Sequence, residues 1–574
     1  MGLENKSKEL KAIVGSFETK WFLGHISGLI INIVSGLADT EIRNLSSPLR
    51  QLYYLGGLLL TSSENEIIYY SIDTDNEKIW DRIVILLNEI EGEYERLFFP
   101  KEEELVNDDW LKMRNVAMPS FLQYFNQGPL NYEEQKINWI NDLYINFDAT
   151  LINVLGLTTS DLILFYNTVD YLFQDKFQGF TGNKSKFKDE WLELTDRKVV
   201  ISQDIPEFLL KEQGHNLPLF QYVQDNGIIF RFRKMDLVSD ILTFEKVEKI
   251  LNLLTSSRIE SDFLYYSSTK PSNPLYEKPI VLIEDDLYQI FEIKQILHSI
   301  ESNLDKICSS DSKNKAKLID KKGKLLENRI SYLFEKLLRK NFEKFDSYYV
   351  DGNEQDLLYI WKDKVFIIEA KGYSIREPLR DPSKAYVRLK DDFNTSIGYG
   401  YSQTYRIESK FINEDDIIIT DEKRNVVKII STKAFNESDF SIIVNLNSFG
   451  QIQNDLSILL QKKDDGAYPW VLKLDDLEVI ILTLIKLNKT AYYLTDYLIF
   501  REQLHGRLIC NDELEIFGAF LQNKINDKTI EIENSVIVTS PDFASVFDEL
   551  YHKGLGFKNE KYLKEKRSGK YKFL

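Results

Sequence analysis

A run of four large apolar residues, Val365 to Ile368, leads directly into Glu369-Ala370-Lys371. Such a run is typical of a central strand that is buried on both faces and whose last residues emerge at a polar rim. Because side chains alternate along a strand, Glu369 and Lys371 project from the same face. The Glu-x-Lys pattern alone indicates little, since it recurs elsewhere, for example at Glu292-Ile293-Lys294. The buried run before it makes this copy a candidate site.

The stretch before this run supplies a second carboxylate. "DLLYIW", Asp356 to Trp361, and "VFIIEAK" are predicted to form a hairpin through Lys362-Asp363-Lys364. This pairing places Trp361 opposite Val365 and, counting outward, Asp356 opposite Ala370. A register shift of one residue still leaves Asp356 beside Glu369, although it changes the face from which the side chain projects. The sequence therefore predicts two carboxylates and one ammonium group at one strand end.

These groups have the chemistry of a site for a hard cation. Mg²⁺ or Mn²⁺ prefers oxygen ligands, and Asp356, Glu369 and the backbone carbonyl of Ala370 are the predicted set. Lys371 can then orient or deprotonate an attacking water while the metal ion stabilises charge on a phosphate. The implied reaction is phosphodiester hydrolysis. The alternative interpretation is a salt bridge at the rim of an α/β domain.

The pattern resembles the PD-(D/E)xK nuclease superfamily, which has the restriction-endonuclease fold. The resemblance covers roughly Lys321 to Leu446, and the proline that gives the motif its name is missing before Asp356. It implies a further acidic catalytic residue and metal ligand on the preceding helix, where Glu327 is the match and Glu335 the weaker candidate. In some related groups a glutamine follows on the next helix, where Gln403 is the match. The alternative for Glu327 and Gln403 is an ordinary polar position on a helix.

The chain is predicted to be multidomain and mostly α-helical, because 574 residues exceed what one hydrophobic core supports. We predict an all-helical domain at 1–195, a mixed α/β connector at 196–311, an α/β nuclease core at 312–466 and a helical C-terminal appendage at 467–574. The polar stretch from Ser309 to Lys317 is the predicted linker. The core is expected to run as helix, three strands, helix and strand.

The charge pattern bears on nucleic-acid binding. A net charge of -18 argues against nonspecific coating of nucleic acid, because affinity for phosphate comes from Lys and Arg. Between Lys313 and Lys340, however, ten basic residues stand against three acidic ones. This run is either a solvated helix face or a nucleic-acid contact. The predicted contacts are Lys321, Lys322, Lys324 and Arg329.

We therefore predict a Mg²⁺-dependent endo- or exonuclease that acts on DNA. RNA stays open as a substrate, because the centre attacks a phosphodiester irrespective of the sugar. The resemblance implies a role in restriction or antiphage defence. A protein partner or a homo-oligomer is expected to control the activity. The alternative from another class is a nonhydrolytic nucleic-acid-binding or scaffold protein with a nuclease-like fold.

The remaining features concern the compartment. The longest weakly polar stretch, Gly24 to Ala38, falls short of the roughly 20 apolar residues that a spanning helix needs. The N-terminus has no apolar signal core, and two cysteines cannot build a disulfide framework. We expect a cytoplasmic protein without a membrane partner.

Overall fold

The computed structural model describes residues 2–34, 44–45, 47–63, 77–96, 110, 113–118, 132–196, 203–267, 271–373, 376, 382–435, 439–530 and 535–560. Over these ranges the chain is multidomain and mostly helical, with mixed sheets, as predicted. It divides into two compact units. The first comprises Met1–Arg96, Phe125–Leu130 and Trp139–Lys315, and the second comprises Leu97–Tyr124, Asn131–Asn138 and Ala316–Leu574.

The first unit is built mainly from helices. These are α1 (Leu3–Gly15), α2 (Thr19–Val34), α3 (Pro48–Leu60), α4 (Glu77–Arg96), α5 (Glu133–Tyr144, from Trp139 onward), α6 (Asp148–Leu155), α7 (Thr159–Thr181), α8 (Lys184–Thr195), α9 (Asp204–Gly214), α10 (Leu217–Gln224), α11 (Phe244–Leu254), α12 (Pro274–Glu277) and α13 (Ile293–Cys308). Four short strands form a sheet in the order β1-β4-β3-β2. They are β1 (Arg231–Phe232), β2 (Thr255–Ser256), β3 (Ile280–Glu284) and β4 (Leu287–Ile290).

The predicted division between residues 195 and 196 falls inside this unit. Helices from both sides of it pack together, and Lys246 Nζ on α11 lies 2.7 Å from Asp161 Oδ1 on α7. The predicted connector is therefore part of the same compact unit as the helices before it. Local sequence patterns do not reveal such packing, because it joins segments that are far apart in the chain.

The second unit contains a seven-stranded sheet in the order β11-β10-β7-β6-β5-β8-β9. Its strands are β5 (Phe342–Val350), β6 (Asn353–Trp361), β7 (Lys364–Lys371), β8 (Asp416–Thr420), β9 (Val426–Ser431), β10 (Asp439–Asn445) and β11 (Trp470–Lys473). The central strand β7 pairs antiparallel with β6 and parallel with β10. The predicted strands at β5, β6, β7 and β10 are all present, whereas the β8–β9 hairpin was not predicted.

The described part of this unit also contains α-helices, several of which pack against the sheet. They are α14 (Ser312–Leu338, from Ala316 onward), α15 (Pro382–Phe393), α16 (Tyr399–Asn413), α17 (Gln451–Asn454), α18 (Leu474–Lys486), α19 (Ala491–Glu502), α20 (Glu513–Leu521), α21 (Asp527–Ile530) and α22 (Ser545–Tyr551). A separate pair of parallel strands comprises β12 (Leu508–Ile509) and β13 (Ile537–Val538). The predicted linker from Ser309 to Lys317 contains the boundary between the two units, at Lys315 and Ala316, but most of it is helical because α14 begins at Ser312.

Both faces of the central strand are buried. On one face, Phe334 of α14 packs against Tyr359 and Phe366, with ring centroids 5.7 and 5.6 Å away. On the other face, Val365 and Ile367 belong to a buried cluster with Ile407 of α16 and residues of β5, β6, β8 and β9. This two-sided burial is why the run before Glu369 is continuously apolar.

The predicted helical appendage at 467–574 begins with a strand instead of a helix. Trp470–Lys473 forms β11, which extends the sheet by pairing parallel with Ile442 to Asn445 of β10. The pairing partner lies far upstream in the sequence, so the short apolar run before α18 gave no local sign of a strand.

In the part of the chain that the structure describes, no single helix has the length and apolar composition needed to span a membrane. One pair of helical segments, Glu133–Leu155 and Thr159–Thr195, is bent by 86°. Taken together, the two meet the requirement for a span by length and composition alone.

Candidate active site

The hairpin of β6 and β7 sets the register of the site. Its turn has two residues, Lys362 and Asp363, and Trp361 pairs with Lys364. The predicted three-residue turn, with Trp361 opposite Val365, was therefore wrong by one residue. Lys362 adopts a φ of +55°, which is typical of the tight turns that close two-residue hairpins. Because lysine is not a residue favoured at such positions, the turn type was not evident from the sequence.

The corrected register brings the two acidic residues opposite each other. The pairing runs as far as Leu357 opposite Ile368, and continuing it by one position places Asp356 opposite Glu369 rather than Ala370. At this position the strands are joined by hydrogen bonds between backbone N–H groups and the two carboxylates. The N–H of Asp356 donates to Glu369 Oε1 at 3.3 Å, and the N–H of Ala370 donates to Asp356 Oδ2 at 2.7 Å. The carboxylates therefore stabilise the two strands at the end of the hairpin.

Lys371 completes the group that the sequence predicts. Its Nζ lies 2.7 Å from Glu369 Oε2 and 3.6 Å from Asp356 Oδ2. Glu369 is fully buried, and this burial raises the pKa of its carboxyl to about 8, with Lys371 lowering it and Asp356 raising it. Burial disfavours the ionised form of such a carboxyl, and a nearby cation stabilises that form.

Two residues of α16 that the sequence did not single out contact Lys371. The ring centroid of Tyr399 is 5.6 Å from Lys371 Nζ. A Cβ added to Gly400 would lie 3.1 Å from Lys371 Cε and 3.2 Å from two carbons of Ile443. The glycine therefore permits the helix to approach β7 and β10 closely at the site. A glycine inside a helix is a weak sign of such an approach, and without a partner segment it was not interpretable.

Glu327 is linked electrostatically to the group. It lies on α14, and burial raises the pKa of its carboxyl to about 7, with the charges of Asp356 and Glu354 raising it and those of Lys371 and Lys324 lowering it. Within the described residues it makes no hydrogen bond to Asp356 or Glu369. The structure thus brings Glu327 into the electrostatic field of the site without a hydrogen bond to either carboxylate.

Gln403 lies on the buried side of α16. It is three residues after Gly400 and four before the buried Ile407, so it shares their helix face. Its side chain is 7 % exposed, and its Oε1 has no hydrogen-bond partner in the described part of the chain. A buried acceptor of this kind is rare in folded proteins, where such atoms are nearly always paired. Gln403 therefore has an unused acceptor on the helix that covers Lys371.

Tyr348 on β5 is a further residue that the sequence did not point to. Its hydroxyl is buried without a hydrogen-bond partner among the described residues. Burial raises its pKa well above the usual range, and the charges of Glu369 and Asp356 contribute to the rise. The apolar alternation of its strand gave no signal that this hydroxyl lies near two carboxylates.

The predicted nucleic-acid contacts lie on α14 upstream of Glu327 or within a turn of it. Lys324 forms an ion pair with Asp320 at 2.8 Å. Arg329 interacts with Glu478, where its charge opposes the pKa rise that burial causes. Lys321 and Lys322 are half-buried. At least two of the four predicted basic contacts are therefore engaged with acidic groups of the chain itself.

The donors at the site fit a metal ion only in part. Among the residues that the structure describes, no group of three or more His, Cys, Asp or Glu side chains converges closely enough to hold one. Asp356 and Glu369 do converge, since Lys371 Nζ lies within 4.0 Å of an oxygen of each. Two carboxylates are a common protein contribution to a Mg²⁺ site, where water, backbone oxygen and substrate phosphate supply the remaining ligands.

No protein-family model, no curated protein and no solved structure matches this chain.

Proposed function

We propose that this chain is a metal-dependent nuclease with a restriction-endonuclease-like core that hydrolyses phosphodiester bonds of DNA. The observation that supports it most directly is the convergence of Asp356, Glu369 and Lys371 at the end of a buried strand. A salt bridge at a rim needs only one carboxylate beside the lysine. A second carboxylate, half-buried and opposite the first, adds electrostatic repulsion. This repulsion destabilises the folded site unless a further cation is bound.

In this proposal each residue has a defined role. Asp356 and Glu369 hold Mg²⁺ or Mn²⁺ together with the backbone carbonyl of Ala370. When bound, the metal ion supplies charge stabilisation for the phosphate and for the leaving oxygen. Lys371 donates hydrogen bonds that orient the attacking water, and its ammonium group adds positive charge beside the phosphate. Glu327 and Gln403 support the site from the two covering helices.

The biological role that we propose with it is restriction or antiphage defence, with activity controlled by a protein partner or by self-association. The net charge of -18 supports control of this kind. A strongly acidic chain binds duplex DNA weakly on its own, so an additional component has to concentrate substrate at the site.

One observation favours a second candidate, a nonhydrolytic nucleic-acid clamp. Among the described residues only two carboxylates converge at the site, and no group of three or more His, Cys, Asp or Glu side chains does, whereas a clamp needs no metal ligands. A clamp is expected to bind DNA equally well with EDTA and with Mg²⁺ and never to cleave it.

The test is cleavage of circular plasmid DNA, linear DNA and RNA by the purified full chain with Mg²⁺, Mn²⁺ or EDTA. Asp356→Asn and Lys371→Ala are expected to lower cleavage by about 1000-fold, in the range found when catalytic groups are removed. Lys364→Ala is the matched control, because Lys364 begins the strand that Lys371 ends, and it should cleave like wild type. Metal-dependent cleavage that persists in both site variants would contradict the proposal.

A further inference from the structure

Tyr399 is an exposed aromatic residue at the rim of the candidate active site. It begins α16, and 57 % of its surface is exposed. Lys371 Nζ lies over its ring, 5.6 Å from the centroid, so the ammonium group is on one side of a ring that is otherwise largely open to solvent. The ring therefore presents an uncovered aromatic surface next to the group that the proposed function places beside a phosphate.

The backbone before Tyr399 has an uncommon conformation. Asn394–Gly398 forms a π-helical turn between α15 and α16, and the N–H of Tyr399 donates to the carbonyl five residues earlier. Such turns are rare and occur frequently at functional sites. Ser396 Oγ of the turn donates to Asn445 Oδ1 of β10 at 3.3 Å, which holds the turn against the sheet. The position of the ring is therefore set by a helix start that is anchored to the sheet.

The groups beside the ring are recessed. The side chains of Lys371 and Asp356 are 12 % and 22 % exposed, and that of Glu369 is fully buried. A duplex is stiff and keeps its bases paired and stacked, whereas a single strand can bend into a recess and turn a base against an aromatic side chain. The geometry thus favours a strand whose bases are unpaired at the point where its phosphate meets Lys371.

Stacking also suits the charge of the chain. With a net charge of -18, the protein has little overall attraction for phosphate. Stacking of a base on an aromatic side chain contributes about 5- to 150-fold in affinity per base, and it needs no charge on the protein. It also tolerates any sequence, because every base has a π face. An exposed ring at the site therefore offers affinity that the acidic surface does not.

We propose that Tyr399 is the stacking platform for an unpaired nucleobase next to the phosphate at Lys371, and that the substrate is single-stranded DNA. This inference rests on the proposed nuclease function and names its substrate class. The base lies against the open side of the ring, and Lys371 lies on the other side. Tyr399 takes no part in breaking the phosphodiester bond, but it determines which form of DNA is bound.

Fluorescence anisotropy of the purified full chain tests this proposal with a labelled oligothymidine of about 15 nucleotides, a length that covers a typical single-strand site. The same strand paired with its complement is the duplex control. Ca²⁺ replaces Mg²⁺, because it takes the same oxygen ligands in a different geometry, and a gel checks that the strand stays intact. Wild type is expected to bind the single strand at least tenfold more tightly than the duplex. Equal or tighter binding of the duplex would overturn the proposal.

Variants of two exposed tyrosines locate the effect. Tyr399→Leu is expected to weaken binding of the single strand at least tenfold, whereas Tyr399→Phe should retain it. Tyr332→Leu is the matched control, because Tyr332 is 54 % exposed and its ring centroid lies 4.9 Å from Lys336 Nζ. Tyr332 is five residues after Glu327, about 140° around α14, so its loss should leave binding unchanged. Equal binding by Tyr399→Leu and wild type, or equal weakening in Tyr399→Leu and Tyr332→Leu, would contradict the assignment.

A strand of the same length without bases distinguishes stacking from an effect of the ring on Lys371. Stacking predicts that Tyr399→Leu and wild type bind the abasic strand equally. Equal weakening on both strands would mean that the ring acts only through Lys371, which overturns the proposal. Cleavage of duplex DNA with unchanged single-strand binding by Tyr399→Leu would refute the stacking role and leave the nuclease function standing. If the full chain neither binds nor cleaves DNA of either form, both are refuted.

Discussion

Asp356 and Glu369 face each other where the pairing of two strands ends, and the N–H of Asp356 donates to Glu369 Oε1 at 3.3 Å. Asp356 in turn accepts from the N–H of Ala370, the residue after Glu369. Each carboxylate thus stabilises the opposite strand, and both remain within 4.0 Å of Lys371 Nζ. The same contacts that hold the strand ends together also gather the acidic groups of the candidate site.

Metal binding should be measurable without any substrate. Adding Mn²⁺ or Mg²⁺ to the full chain is expected to raise its melting temperature, because a ligand that binds only the folded state stabilises it. At 100 times Kd the gain is about 2.7 kcal/mol. Asp356→Asn, which keeps an oxygen that can accept from Ala370 N–H, should lose this gain. If wild type and Asp356→Asn respond equally to the metal ion, Asp356 is not a ligand.

Gly400→Ala should disturb Lys371. The added methyl group would lie 3.1 Å from Lys371 Cε, so the lysine or the helix has to shift. We expect the proposed nuclease activity to fall about 10- to 100-fold, as misplacement of a reacting group by about 1 Å can do. The control is Gly323→Ala on α14, where an added Cβ has no neighbour within 4 Å. That variant should gain up to about 1 kcal/mol from helix propensity and retain full activity.

Two buried tyrosines should respond in opposite directions to the loss of their hydroxyls. Tyr348→Phe removes a hydroxyl that has no hydrogen-bond partner among the described residues, and should leave stability unchanged or raise it by about 1 kcal/mol. Tyr359→Phe removes a hydroxyl that lies 2.9 Å from Ser331 Oγ, and should cost about 1 kcal/mol. Urea unfolding of both variants checks this. A larger loss in Tyr348→Phe than in Tyr359→Phe would contradict it.

Glu408 should make stability depend on pH. Its folded-state pKa of about 7 lies above the ordinary 4.5, mainly because of burial. Between these values the folded chain holds a proton that the unfolded chain has released. The stability that protonated Glu408 contributes at low pH is therefore lost as pH rises through 7. Relative to wild type, Glu408→Gln should therefore be more stable at pH 8 than at pH 4.5, by roughly 3 kcal/mol.

Unfolding in urea at both pH values measures this difference. Glu414→Gln is the control, because Glu414 is exposed just after the end of α16, the helix that carries Glu408. Its stability relative to wild type should change little between the two pH values. An equal stability difference for Glu408→Gln at both pH values would show that the folded-state pKa of Glu408 is ordinary.

Much of the second unit's core could be predicted from its sequence. The apolar run Val365 to Ile368 and the Glu-x-Lys after it predicted a buried strand that ends in polar groups, and β7 has that form. Asp356 was expected beside Glu369 even with an error of one residue in register, and that error occurred. These features were predictable because they depend on the alternation of side chains and on pairing within one hairpin, both of which are local.

Tertiary structure decided the rest. The turn at Lys362 and Asp363 set the register, and with it which residue faces Glu369. The strand Trp470–Lys473 exists because β10 offers it a parallel partner, and no local pattern marks that partner. The close approach of Gly400 to Lys371, and the burial of Glu408 beside Ser441 and Ala467, depend in the same way on segments that are distant in the chain. Sequence periodicity reports which side of an element is buried, but the element that covers it is selected only when the whole core packs.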